Sequence, residues 1–163
     1  MTKTILIATD FSLESLDILK KVLKKKNEAN DENQYNILFV TGYHLGDSIR
    51  DLLFTTKNTI FNKIRPNEFC EAYSIIKNKY PHLVKKITCD VYTGNFQRAF
   101  NNYIEAANVD EAYYASNKSK NLKKGQFEIT SQLIKNKHVQ AQEVQIQTTE
   151  FLPEKGRLAE VFI

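Results

Sequence analysis

The chain has 163 residues, of which 42% are hydrophobic and 26% are charged, and its formal net charge is +4 at pH 7. This length fits one globular domain, and the composition supplies a core without resembling a membrane protein. Lysines near the end of the first predicted helix complement the helix dipole, so the mild positive charge gives no support for nucleic-acid binding. The first residues lack a signal-peptide pattern, and Cys70 and Cys89 have no metal-type partners nearby. We therefore expect a cytoplasmic protein without membrane association.

The first half of the chain alternates between strands and a helix. Residues 4–9 form an apolar, β-branched run that is typical of a strand buried on both faces. A helical pattern follows over residues 12–26, with Ser12 as the N-cap. Residues 35–41 predict a second buried strand, and residues 42–59 predict a long connection that contains a short helix.

The second half continues this alternation. In chain order it predicts a helix over residues 67–80 with a start as early as Ile60, a strand over 85–92, a helix over 96–107, a strand over 110–115, a basic loop over 118–124, a helix that contains Phe127, Ile129, Leu133 and Ile134, and a strand over 141–147. Strands separated by helices favour an α/β fold with one five-stranded parallel sheet and right-handed crossovers. Residues 1–147 form the predicted domain, and the apolar extension 148–163 is expected to pack on that domain or on a partner chain.

In such a sheet, ligands bind in the crevice beyond the carboxyl ends of the strands. Asp10 lies there after the first strand, and His44 lies there after the second. An aspartate at a strand-to-helix turn either contacts a ligand or accepts N–H bonds from the turn itself, and both interpretations stay open. The sequence has no P-loop, no Gly-x-Ser-x-Gly elbow, no Gly-x-Gly-x-x-Gly motif and no metal-ligand spacing. It therefore predicts no catalytic residues and no metal site.

Three segments together resemble the universal stress protein family. Residues 5–16, reading Ile-Leu-Ile-Ala-Thr-Asp-Phe-Ser-Leu-Glu-Ser-Leu, are similar to the opening motif of that family. Residues 92–96 are similar to its turn after strand three, with Phe96 where the family usually has proline, and residues 109–116 fall at its spacing. The resemblance covers roughly residues 3–147. It implies a three-layer sandwich of the adenine nucleotide alpha hydrolase type with strand order 3-2-1-4-5. It also implies a homodimer, often formed through the last strand. An unidentified protein partner is a further expectation.

Family members that bind ATP share a glycine-rich stretch after strand four, where backbone amides approach phosphate oxygens. The first two expected glycines fall near Ala115 and Lys118 in this chain, and Gln126 stands where a serine or threonine is expected. The lysines of this loop can attract phosphate, but they do not replace the geometry of the glycine cradle. By resemblance, the candidate nucleotide crevice comprises Ala8, Thr9, Asp10, Val40, Gly94, Ser116 and Gly125.

Two interpretations of this altered loop remain open. The chain is either an adenine-nucleotide sensor with ATP as its cofactor, or a family member that lacks the glycine motif and does not bind ATP. The missing glycines favour the second interpretation: a non-catalytic protein with a regulatory or binding role in the stress response and no cofactor. A weak nucleotide hydrolase of the same fold is the less favoured third alternative.

Overall fold

The computed structural model describes residues 2–46, 55–117 and 119–146, which form one sheet between two layers of helices. The strands are β1 (Thr2–Ala8), β2 (Gln34–Tyr43), β3 (Val84–Tyr92), β4 (Glu111–Ala115), β5 (Gln126–Phe127) and β6 (Ala141–Val144). The helices are α1 (Leu16–Glu28), α2 (Lys57–Ile64), α3 (Asn67–Lys79), α4 (Gln97–Ala106) and α5 (Thr130–Lys135), with a 3-10 turn at Leu13–Ser15 before α1. The predicted α/β sandwich is confirmed.

The five main strands are parallel and lie in the order β3-β2-β1-β4-β6. This confirms the predicted order, with β6 as the fifth predicted strand. Ile5 of β1 pairs with Ile37 of β2 on one side and with Glu111 of β4 on the other. The strand order reverses between β1 and β4, so the crevice of a doubly wound sheet opens at their carboxyl ends.

The apolar run of β1 is buried on both faces of the sheet. Ile5 and Ile7 belong to the core that packs against α1, α2 and α3, whereas Leu6 belongs to the core under α4 and α5. All three side chains are fully buried. Successive residues of a strand point to opposite faces, so a strand with helices on both sides requires an apolar residue at every position.

A proline separates two helices where the sequence pattern allowed a single helix from Ile60. α2 ends at Ile64, Arg65 is extended, and Pro66 stands at the N-cap of α3. Proline lacks an N–H donor and disfavours helical conformation in the residue before it, so a helix cannot continue through this point. Ile60 of α2 and Phe69 of α3 nevertheless bury their side chains in the same core.

The last predicted helix included Phe127, but the structure places this residue in a strand, so that part of the prediction is wrong. β5 pairs antiparallel with the end of β2 and places Phe127 opposite Gly42. A Cβ at Gly42 would clash with the Phe127 ring, so this close approach requires glycine. The helix α5 begins only at Thr130. The apolar spacing from Phe127 to Leu133 suits a helix, but it carries no information about a partner strand far away in sequence.

Two sequence predictions extend beyond the described residues. The C-terminal extension 148–163 lies outside them entirely, as does Gln147 at the end of the predicted domain. Within the long connection 42–59, β2 continues to Tyr43 and α2 begins at Lys57, but residues 47–54 also lie outside. None of the helices in the described ranges is both long enough and apolar enough to cross a bilayer.

A partly buried ion-pair network joins the end of α1 to the start of β4. The Lys26 ammonium donates to both carboxylate oxygens of Glu111 at 2.9 and 3.1 Å and to the Tyr35 hydroxyl at 3.1 Å. The Tyr35 hydroxyl donates to Asp31 at 2.5 Å, and the Tyr113 hydroxyl donates to Glu111 at 2.7 Å. Burial alone would lower the pKa of Lys26, but the hydrogen bonds to Glu111 and Tyr35 raise it above its ordinary value. The network therefore holds a charged lysine between three elements.

Several tyrosines should make the fold sensitive to alkaline pH. Burial raises the pKa of Tyr73 to about 12, and it also raises the pKa of Tyr103 and Tyr113, whose hydroxyls donate to Asp90 and Glu111. The unfolded chain ionises its phenols near pH ~10 while the fold keeps these three neutral, so their contribution to stability is complete below that pH and declines above it.

We expect the free energy of unfolding, measured in urea, to be nearly constant from pH 8 to about 9.5 and to fall between pH ~10 and ~11.5. Tyr103→Phe should make this decline shallower. If all eight tyrosines ionise near pH ~10 in the folded protein, as followed by phenolate absorbance, this prediction is wrong.

Candidate functional site

The crevice begins at the turn that follows β1. The Thr9 amide donates to the Val40 carbonyl at 3.0 Å, which holds the end of β1 against β2. The Thr9 hydroxyl accepts the Phe11 amide at 2.9 Å and lies 2.7 Å from the Ser15 hydroxyl. Phe11 has a φ of 62°, in the left-handed region that bulky residues seldom occupy. These bonds hold the turn in that conformation and place Asp10 at the edge of the sheet.

Both carboxylate oxygens of Asp10 have partners within the chain. Oδ1 accepts the Ser12 amide at 2.9 Å and the Ser12 hydroxyl at 2.5 Å, a pattern typical of an aspartate that stabilises a turn. Oδ2 accepts the hydroxyl of Ser119, which comes from the segment after β4. A ligand would therefore have to compete with Ser119 for this carboxylate.

The segment between β4 and α5 folds back over the end of β2. The His44 amide donates to the Gly125 carbonyl at 2.8 Å, just before the segment enters β5. Gly125 has a φ of 91°, which favours glycine, and a Cβ there would lie 2.8 Å from the Tyr43 ring. Earlier in the segment, the Ser119 amide donates to the Glu128 carboxylate. The segment is thus attached both to β2 and to itself.

Gln126 is a buried polar residue at the centre of this arrangement, with 8% of its surface exposed. Its Nε2 donates to the Thr41 hydroxyl at 3.2 Å and to the Asp10 carbonyl at 3.4 Å. Its Oε1 accepts the Lys123 amide at 2.8 Å. The carboxamide therefore links the ends of β1 and β2 to the returning segment.

The next residue of β5 contributes an aromatic side chain. Phe127 stands opposite Gly42, and its ring stacks on the exposed His44 ring with 4.3 Å between the centroids. Phe127 also packs against the core cluster that contains Val40, which is fully buried. Phe127 therefore adds an aromatic side chain to the core on the same face of the sheet as Val40.

The structure brings five of the predicted site residues together. They lie at the adjoining ends of β1 and β2, or reach them through β5, and are Ala8, Thr9, Asp10, Val40 and Gly125. Ala8, Thr9 and Asp10 remain half-buried.

The other two predicted site residues have local structural roles. The Ser116 amide follows β4 and donates to the Val144 carbonyl at 3.0 Å, on the β6 side of the sheet. Gly94 follows β3, two strands away from β1, and leaves room for the Tyr92 side chain. The Tyr92 hydroxyl donates to the Phe96 carbonyl at 3.2 Å.

Sequence reasoning missed the residues that complete the arrangement, which are Thr41, Ser119 and Phe127. Only Gln126 gave a signal, because it stands where a small hydroxyl residue was expected. Among the residues that the structure describes, no group of three or more His, Cys, Asp or Glu side chains could hold a metal ion. Within the described ranges, the donors and acceptors of this site are largely paired with one another.

Comparisons with known proteins find the fold but no sequence relative. No protein-family model matches the chain, and no curated protein matches it significantly. Solved structures with a similar fold include a protein from the universal stress protein family of Burkholderia pseudomallei, at 9% identity and a TM-score of 0.52, with 87% of this chain and 95% of that chain covered. A universal stress protein from Archaeoglobus fulgidus aligns at 12% identity and a TM-score of 0.51, covering 89% and 93% of the two chains.

A universal stress protein family protein from Arabidopsis thaliana, solved with AMP bound, aligns at 12% identity and a TM-score of 0.52, covering 94% of this chain and 97% of that one. Identities this low establish the fold alone. The chain has the fold of the universal stress proteins.

Proposed function

We propose that this chain, built on the universal stress protein fold, is a non-catalytic cytoplasmic protein with a regulatory or binding role in the stress response, and that its crevice does not bind ATP. The observation that carries the proposal is the buried Gln126 carboxamide, which bonds Thr41 and the Asp10 backbone where a ligand would enter. The Ser119 hydroxyl completes the closure on the Asp10 carboxylate.

The energy of these bonds supports the proposal. A nucleotide in the crevice would displace three bonds of Gln126 and the bond from Ser119 to Asp10. At about 1 kcal/mol for each net hydrogen bond, their loss would weaken binding by about three orders of magnitude. The segment offers one glycine between Ala115 and Gln126, so few of its amides can approach a phosphate without an intervening Cβ.

An adenine-nucleotide sensor is the second candidate function. The Arabidopsis thaliana protein of the same fold was solved with AMP bound. In this chain Asp10 lies half-buried beside Ala8 and Thr9. A ligand that displaced Ser119 would meet these residues first.

A titration with Mg-ATP and with AMP separates the two candidates. We expect neither nucleotide at millimolar concentration to change the melting temperature or to give a binding isotherm in calorimetry, because Ser119 and Gln126 already occupy the partners that a nucleotide would use. The variants Asp10→Ala and Asp17→Ala serve as a pair, since Asp17 is an acidic residue on α1 that pairs with Lys21.

A saturable shift that Asp10→Ala abolishes and Asp17→Ala preserves would establish the sensor and overturn the proposal. Release of phosphate from ATP over hours, lost in Asp10→Ala, would contradict the non-catalytic role.

A further inference from the structure

A second concave surface lies on the side of the sheet that faces α5. It is a cleft of about 470 Å³ between the end of α5, the loop that follows it and the β4 and β6 strands. Residues 136–141 line it together with Tyr114 and Ile134. None of these residues belongs to the candidate crevice at the ends of β1 and β2, so the cleft is a separate feature.

The loop that borders this cleft is fixed in shape by one side chain. Asn136 accepts the amides of His138 and Val139 at 3.0 and 2.8 Å through its Oδ1 atom. Its Nδ2 atom donates back to the Leu133 carbonyl in α5. An asparagine that bonds the backbone on both sides holds a loop in one conformation. The cleft is therefore formed before anything binds to it.

The lining of the cleft combines apolar surface with positive charge. Ile134 is 56% exposed, which is unusual for a large aliphatic side chain unless something covers it. Lys137 is exposed and, within the described ranges, forms no ion pair. His138 lies 3.7 Å from the exposed Glu105 carboxylate. A complementary occupant would bring apolar side chains together with carboxylates.

We propose that this cleft binds residues 148–163 of the same chain. That segment contains Glu150, Glu154 and Glu160, besides Lys155 and Arg157, among the apolar residues Phe151, Leu152, Leu158, Val161, Phe162 and Ile163. It therefore carries apolar side chains that can cover Ile134 and carboxylates that can pair with Lys137.

The chain is long enough for this contact. β6 starts at the cleft and has four residues, so it spans about 13 Å at about 3.3 Å per residue. The 17 residues from 147 to 163 can extend to roughly 55 Å. The segment can thus turn back past β6 and reach Ile134 within one molecule.

Hydrogen exchange followed by mass spectrometry on the full chain tests this proposal. We expect the amides of residues 148–163 to exchange at least about tenfold more slowly than in a synthetic peptide of the same sequence, at protein concentrations that differ tenfold. Ile134→Asp should remove this protection. Ile75→Asp should preserve it, because Ile75 is 45% exposed on α3, in the opposite helical layer.

Each other outcome overturns the proposal. Exchange at the rate of the free peptide means that the cleft has no such occupant. Protection that survives Ile134→Asp places the segment elsewhere, and protection that disappears on dilution assigns the contact to a second copy. Circular dichroism of both variants confirms that the fold persists, as expected for substitutions at exposed positions. The test does not involve nucleotide, so its result is independent of the proposed function.

Discussion

Replacing Phe11 by alanine is expected to lower the free energy of unfolding by about 3–5 kcal/mol, the range for removing a buried phenylalanine. Its side chain is 1% exposed and contacts the rings of Phe61 and Phe69 edge-on, with centroids 6.1 and 5.3 Å away. These contacts join the turn after β1 to α2 and α3. Urea unfolding of the variant measures the loss.

A comparison of two variants at this position separates packing from backbone strain. Phe11 has a φ of 62°, and alanine keeps the Cβ that makes this conformation unfavourable. We expect Phe11→Gly to be more stable than Phe11→Ala by about 1 kcal/mol, although glycine is normally the more destabilising residue. If Phe11→Gly is less stable than Phe11→Ala, the turn does not hold the left-handed conformation. If Phe11→Ala lowers the free energy of unfolding by less than about 1 kcal/mol, the packing argument is wrong.

Replacing Glu111 by alanine is expected to cost about 3 kcal/mol, because it leaves a partly buried Lys26 with only the more distant Asp31 carboxylate, 3.9 Å away, as an ion-pair partner. The side chains of Lys26 and Glu111 are only 14% and 21% exposed. The substitution also removes the acceptor of the Tyr113 hydroxyl. Equilibrium unfolding at pH 7 in urea measures the effect.

Two controls show whether burial is the cause. Asp17 and Lys21 form an ion pair on the surface of α1 with 27% and 44% of their side chains exposed, so Asp17→Ala should cost less than about 0.5 kcal/mol. The double variant Lys26→Met with Glu111→Leu should recover most of the stability lost in Glu111→Ala, because both members of the closest pair are removed and Asp31 keeps its hydrogen bond from Tyr35. Equal losses for Asp17→Ala and Glu111→Ala, or no recovery in the double variant, would contradict this account.

The candidate crevice shows how much of a site a local sequence pattern can predict. Asp10 was predicted at the edge of the sheet because it follows an apolar strand, and Ser12 was predicted to begin the helix after it. Both residues lie there and bond each other. The hydrogen bonds that link Asp10 to the returning segment come from Ser119 and Gln126, which lie 109 and 116 positions after Asp10. No local pattern specifies which distant side chain will reach a given carboxylate.

The sequence by itself determined the alternation of strands and helices, the two-sided burial of Ile5, Leu6 and Ile7, and hence the parallel sheet, whereas the strand order was implied by the resemblance to the universal stress proteins. These features follow from periodicity and from the handedness of crossovers, which act over neighbouring residues. Only the tertiary structure decided that Phe127 forms a strand on Gly42 and that Gln126 enters between Thr41 and Asp10. Those contacts join chain segments that are far apart in the sequence and meet only in the folded sheet. A local sequence pattern therefore cannot predict them.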